Sequence, residues 1–174
     1  MESSLDPTER HREAMRKLRQ YFLHVMNGVD QRYKGIRHPQ FEISVIVRSM
    51  VVLQKGEFQH DMSRVEELAG LKLIQVQLYL EDLKQADIRI QNSGIPQYDQ
   101  VILFTKYLLY GGSQRRNIVN GHSVHGGICD LSRRVQICRV GDFFETVTIA
   151  AHELGHALGA YHDGCPNVTS CRTT

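Results

Sequence analysis

The stretch His152-Glu153-Leu154-Gly155-His156, followed by Gly159, His162 and Asp163, is where residue types and spacing speak most directly of chemistry. His152 and His156 are four residues apart, so on a helix their rings share one face with Cβ atoms roughly 5–6 Å apart. One zinc ion can take a nitrogen from each at about 2.0–2.1 Å. On an unbroken helix His162 would stand about 240° around and ~9 Å beyond His156, out of reach of the same ion. Gly159 resolves this, because glycine adopts the left-handed conformation that ends a helix and turns the chain back. Three imidazoles plus one open position describe a catalytic metal site, not a closed structural one. Glu153 follows the first histidine and is placed to take a proton from water that the ion acidifies. That is the general-base role in metal-assisted hydrolysis of a peptide bond.

The His-Glu-x-x-His pattern alone arises by chance in roughly a few per cent of chains this rich in histidine. Gly159, His162 and Asp163, at the spacing a third ligand needs, remove chance as an explanation. Elsewhere the ordinary readings win. His122 and His125 are three apart in an expected strand, which points them to opposite faces. His11, His24, His38 and His60 stand alone. Cys129 and Cys138 lack the close-pair spacing of a zinc knuckle, so a disulfide or buried thiols is the better account. Asp99 and Asp142 read as caps or turn residues.

The elements that must position this constellation are legible in part. A helix from Phe143 to Leu158 carries His152, Glu153 and His156. Ala157 and Leu158 offer apolar surface beside the ligands, so the metal-bearing face is expected to be buried. A long amphipathic helix is expected from about Pro7 to Tyr33, with Leu18, Tyr21, Phe22, Val25, Met26, Val29 and Tyr33 on one stripe. Asp6-Pro7 opens it, and Gly35 with Pro39 closes it. Phe41 to Leu53 is Val- and Ile-rich and reads as a central strand. From Gly56 to Gly94 the pattern is mixed: Ser63 and Glu66 could form a capping box, and Val76, Leu80 and Leu83 a helical face ending near Lys84. Val101 to Thr105 reads as a buried parallel strand, which implies a right-handed strand-helix-strand crossover. Between Gly111 and Asp142, SVHGGICD and RRVQICRV are short strand candidates in a loop-rich region.

A chain of 174 residues fits one domain with a core of its own. Hydrophobic residues make up 41% and charged residues 23%, which excludes a disordered chain. A net charge of +2, with basic residues dispersed, gives no footprint for nucleic acid. No apolar run is long enough to span a membrane, and the polar N-terminus has no signal-peptide core. Cys129, Cys138, Cys165 and Cys171 form an even set that allows three pairings if oxidised, and Asn167-Val168-Thr169 is a glycosylation sequon.

HELGHALGAYHD matches the elongated zinc signature of the metzincins, and Asp163 directly after the third histidine resembles the reprolysin branch, the ADAM and snake-venom type proteases. The surrounding TIAAHELGHALGAYHDG is most similar to the salivary metalloproteases of ticks. The resemblance extends upstream through MNGVDQRYKGIRHPQFEISV, YDQVILFT and GHSVHGGICD. It implies a mixed α/β fold: a metzincin-like twisted, mostly parallel sheet with packed helices and a zinc-binding active-site helix. It implies one catalytic Zn2+ on His152, His156 and His162, with Glu153 as base, in a secreted zinc endopeptidase acting on proteins or peptides. By the same similarity Gly126, Gly127 and Ile128 would lie along the bound substrate, added as a strand to the sheet edge. Residues 1–174 would be a single metalloprotease domain, incomplete because the family's first strand and Met-containing turn are missing. A rival from another class is a non-catalytic zinc-binding or decoy module. A third, a zinc-stabilised structural domain, sits poorly with three histidines and an open position.

Overall fold

In the computed structural model the long N-terminal helix, α1, runs Pro7–Lys34, with Asp6 at its N-cap and Pro7 in its first turn. The structure describes residues 6–52, 65–68, 71–75, 97–111, 117–131 and 133–163. Two compact units divide after Val52. In the first, α1 buries Val25, Met26, Val29, Asp30 and Tyr33 near its C-terminal end, while Leu18 and Leu23 stay exposed. The Asp30 carboxylate accepts hydrogen bonds from the Val45 amide at 2.8 Å and from Lys34 at 2.7 Å.

The expected central strand from Phe41 to Leu53 does not form over its described part: a single bridge joins His38 and Phe41, and residues 42–52 carry no strand. β-branched side chains suit a pleated surface, but a strand exists only where a neighbour completes its ladder. No described residue does so here, and Phe41, Ile46 and Val51 remain more than half exposed.

Among its described residues the second unit holds seven strands: β1 (Val65–Leu68), β2 (Leu71–Gln75), β3 (Val101–Thr105), β4 (Leu108–Gly111), β5 (Asn117–Val119), β6 (Gly121–Ser123) and β7 (Val135–Arg139). They form a four-stranded sheet, β1-β2-β4-β5, and a three-stranded sheet, β3-β7-β6. The class is mixed α/β as expected, but the pairing is not mostly parallel. β2/β4 and β3/β7 run parallel, whereas β1/β2, β4/β5 and β6/β7 are antiparallel. Short connections account for β1/β2 and β4/β5, since antiparallel neighbours need only a few residues between them; β6 and β7 are joined by the longer turn segment 124–134. Glu66 lies in β1, so no helix starts there, and Ser63 and the expected helical face at Val76–Lys84 fall outside the described residues. The partner that β3 finds is β7, Val101 opposite Val135 through Thr105 opposite Arg139.

Strand β7 is buried from Val135 to Cys138 because both of its faces are covered. Val135 and Ile137 pack with Leu109 of β4 in a core flanked by Val101, Leu103, Tyr107, Val119 and Val124. On the alternate positions, the Gln136 side chain donates to the Ala150 carbonyl of the second helix, α2 (Phe143–Ala157), at 3.3 Å and accepts from Gln100. A buried amide with those partners costs little and fixes the helix on the sheet. Asp142 caps α2 by accepting from the Glu145 amide at 2.8 Å, and Arg139 pairs with Glu145 at 3.2 Å.

Candidate metal centre

Helix α2 presents Thr146, Val147, Ile149, Ala150, Glu153, Leu154 and Ala157 to the interior. Those positions recur at three- and four-residue steps, so the sheet-facing side is settled by the apolar stripe. His152 falls outside that stripe and is exposed, and His156 is half-buried. The metal-bearing face is therefore open to solvent, contrary to the sequence expectation. The apolar stripe takes the contact with the sheet and turns the imidazoles toward its rim.

After the cap residue Leu158, Gly159 adopts φ +99, and its amide returns to the His156 carbonyl while the Ala160 amide bonds Gly155. No neighbour lies within 4 Å of where its Cβ would be, so glycine is needed there for backbone conformation alone. The reversal brings His162 back. The Nε2 atoms of His152 and His162 are 3.0 Å apart, those of His156 and His152 3.1 Å, and those of His156 and His162 2.8 Å. These are the three residues whose donor atoms converge tightly enough to hold a metal ion among the described residues. His156 Nδ1 lies 2.7 Å from the Ala160 carbonyl oxygen. That oxygen only accepts, so Nδ1 carries the hydrogen and Nε2 presents its lone pair. Three ring nitrogens this close need either a hydrogen shared between them or a cation that draws them together. The donor set suits zinc or another divalent ion with a preference for imidazole.

Glu153, one residue along, turns inward and is only 6% exposed. Burial raises its carboxyl pKa, and the His156 charge and the Ser123 hydroxyl offset part of the rise. It lies against Gly121 of β6, where a Cβ would come within 2.7 Å of Glu153 Cγ. His152 is shifted down, first by desolvation and then by the charges of its two imidazole neighbours. His122, also on β6, is lowered by desolvation and then by His156. A buried acid with no lysine or arginine paired to it among the described residues, beside a nitrogen cluster, is the pattern of a group held for proton transfer.

The segment expected to pair with substrate is placed differently. Strand β6 is the rim of its sheet but ends at Ser123, and Gly126, Gly127 and Ile128 form a turn. Their amides are all engaged: Gly126 donates to the His156 carbonyl at 2.9 Å, Gly127 to Val124, and Ile128 to the Ala157 carbonyl at 3.1 Å. The end of α2 leaves carbonyls without helical partners, and this turn satisfies two of them. Gly126 has φ +62, and a Cβ on Gly127 would meet the Arg133 carbonyl oxygen at 2.6 Å, so the turn requires both glycines.

Sequence reasoning missed Gly121, whose signal was its place opposite a buried acid, something no spacing reveals. It also gave His125 no role beyond a place in an expected strand. The His125 ring lies on Tyr161, centroids 4.0 Å apart and tilted by 32°. Cys138 is a fully buried free thiol, its pKa pushed up by burial, while Cys129 is free and exposed with φ +64. They are not joined to each other. Cys165, Cys171 and the Asn167 sequon lie outside the described residues.

A mixed α/β unit that gathers three imidazoles from a helix and its following turn, beside a buried glutamate, defines a metallopeptidase. The family model Reprolysin_5, metallo-peptidase family M12, matches residues 5–174, and the chain belongs to that family of reprolysin-type metzincins. Curated relatives agree. A disintegrin and metalloproteinase with thrombospondin motifs like protein of Bombyx mori is 28% identical over 160 residues, covering 86% of this chain and 22% of that protein. A disintegrin and metalloproteinase with thrombospondin motifs 4 of Bos taurus is 30% identical over 154 residues, covering 87% and 17%. Venom metalloproteinase 3 of Eulophus pennicornis is 26% identical over 139 residues, covering 79% and 32%. The chain thus spans less than a third of the length of each of these relatives. No described helix is long and apolar enough to cross a membrane.

Proposed function

We propose that residues 1–174 belong to one catalytic domain that hydrolyses peptide bonds in proteins. His152, His156 and His162 would hold one Zn2+, with Glu153 as general base. The observation that carries this reading is the trio of Nε2 atoms 2.8–3.1 Å apart with a buried glutamate on the same helix. When bound, zinc supplies Lewis acidity, polarising the scissile carbonyl and making water a stronger acid at neutral pH. The chain's own part is to hold and move the proton. Glu153, its pKa raised by burial, takes a proton from water and gives it to the leaving nitrogen. His156 keeps its Nε2 lone pair directed at the metal because Nδ1–H is spent on Ala160.

Peptide substrate would lie along the outer edge of β6, which no other described strand pairs, beside Gly121, with main-chain hydrogen bonds completing the sheet. Gly126, Gly127 and Ile128 can contribute only carbonyls or their surface to that pairing, since their amides are engaged. A secreted setting accords with the similarity to Venom metalloproteinase 3 of Eulophus pennicornis.

The decoy reading is weaker, because a module that only binds zinc has no use for a buried Glu153 with no lysine or arginine beside it among the described residues. Elemental analysis of the purified chain, paired with cleavage of a quenched-peptide library with and without chelator, tests the proposal. One zinc per chain and chelator-sensitive cleavage are expected, with both lost in His156→Ala. One zinc without cleavage would favour the decoy, and no zinc would refute the metal site.

A further inference from the structure

We propose that His125 and Tyr161 act together as positioning residues for His162, the third imidazole of the metal site. The proposal rests on the metal reading above. The two helical histidines are oriented by α2 itself. His162 has no such support, since beyond Ala160 no backbone hydrogen bond to another described residue holds the chain. What stands there instead is the Tyr161 ring, adjacent to His162 in sequence and laid on the His125 ring at 4.0 Å. Tyr161 is 57% exposed, so the stack is a principal restraint on a side chain otherwise in water.

His125 is itself well anchored. Its carbonyl accepts from the Arg133 guanidinium at 2.7 Å, and the next residues clamp the end of α2 through Gly126 to His156 and Ile128 to Ala157. The turn thus grips the helix end with its backbone and the ligand loop with an aromatic face. His125 Nε2 is buried without a hydrogen-bond partner among the described residues, while the ring face carries the contact with Tyr161. An imidazole used in that way is replaceable by phenylalanine, because an apolar group of similar shape removes the unpaired nitrogen.

The test is zinc affinity of the full chain by chelator competition, together with the visible absorption of the Co2+-substituted protein. Partners that orient ligands typically change metal affinity by about 10–100-fold, and Tyr161→Leu and His125→Ala are each expected to weaken zinc within that range. The Co2+ spectrum should shift in both. His125→Phe and Tyr161→Phe should stay within about 2-fold of the parent, and the double variant His125→Ala/Tyr161→Leu should be no weaker than either single. Melting of the chelated protein should not change, which separates positioning from general stability. Parental affinity in Tyr161→Leu and His125→Ala would overturn the proposal. So would equal losses in the phenylalanine variants, or a matching loss of metal-free stability. If the parent chain takes up no zinc, the metal reading itself fails; if it does and these variants behave like it, only the positioning role fails.

Discussion

Each of the two described helices buries one carboxylate, and the two are treated in opposite ways. Asp30 on α1 is 7% exposed and receives Lys34 at 2.7 Å and the Val45 amide at 2.8 Å. These hydrogen bonds, Lys34 first, hold its pKa below the ordinary 3.8. Glu153 on α2 is 6% exposed and has no such cation among the described residues, and burial lifts its pKa above the ordinary 4.5. A buried acid given a cation ties structure together, whereas one left without is kept reactive at a cost in stability. Burial alone therefore does not mark a functional acid. What surrounds the carboxylate does.

Exchanging the two acids for neutral residues gives the largest contrast. Glu153→Ala should lower kcat/KM for peptide cleavage by about 10²–10⁴-fold while zinc content stays at parental level. Asp30→Asn should leave kcat/KM unchanged and lower the melting temperature. Comparable activity losses in the two variants would erase the distinction. Gly121→Ala probes how closely Glu153 must be held. Its Cβ would stand 2.7 Å from Cγ and 2.8 Å from Oε1 of Glu153. A carboxylate displaced by ~1 Å should cost on the order of 10²-fold in kcat with zinc affinity intact. Full activity would mean the carboxylate has room to spare.

A smaller effect is expected at the turn that completes the site. Gly159→Ala meets no neighbour but forces an L-residue to φ +99, a cost of about 1–3 kcal/mol. Calorimetry should show a melting temperature lower by roughly 2–4 °C per kcal/mol in a chain of this size. No change would mean the turn relaxes freely. The mildest contrast is in pH dependence of the chelated protein. The folded pKa of Glu153 is raised, so its contribution to stability is complete below about the unfolded value and is lost as pH climbs through the raised pKa. That of Asp30 is lowered, so its contribution is present above the unfolded value and is lost as pH falls through the lowered pKa. Melting curves against pH should flatten on the high side in Glu153→Gln and on the acid side in Asp30→Asn. Curves parallel to the parent would show that neither acid is linked to folding.

The ligand set was legible because it is local. His152, Glu153 and His156 sit within one turn and a half of one helix, and Gly159 announces the reversal that returns His162. Helix α1 and strands β3 and β7 were legible for a related reason, since periodicity and a short apolar run reflect burial directly. The same signal failed at Phe41–Val52. Val-Ile richness reports fitness for a sheet, and the described residues supply no neighbouring strand to complete one.

By itself the sequence determined which three histidines cluster, the helix that bears two of them and the family to which the chain belongs, because each depends on spacing along the chain. Only the tertiary structure decided which strands pair and that the imidazole face opens to solvent. It also turned the Gly126–Ile128 amides onto α2 and set Gly121 and the His125 ring beside Glu153 and Tyr161. Those outcomes depend on which distant segments meet, and pairwise contact between residues far apart in sequence leaves no periodic trace in either one.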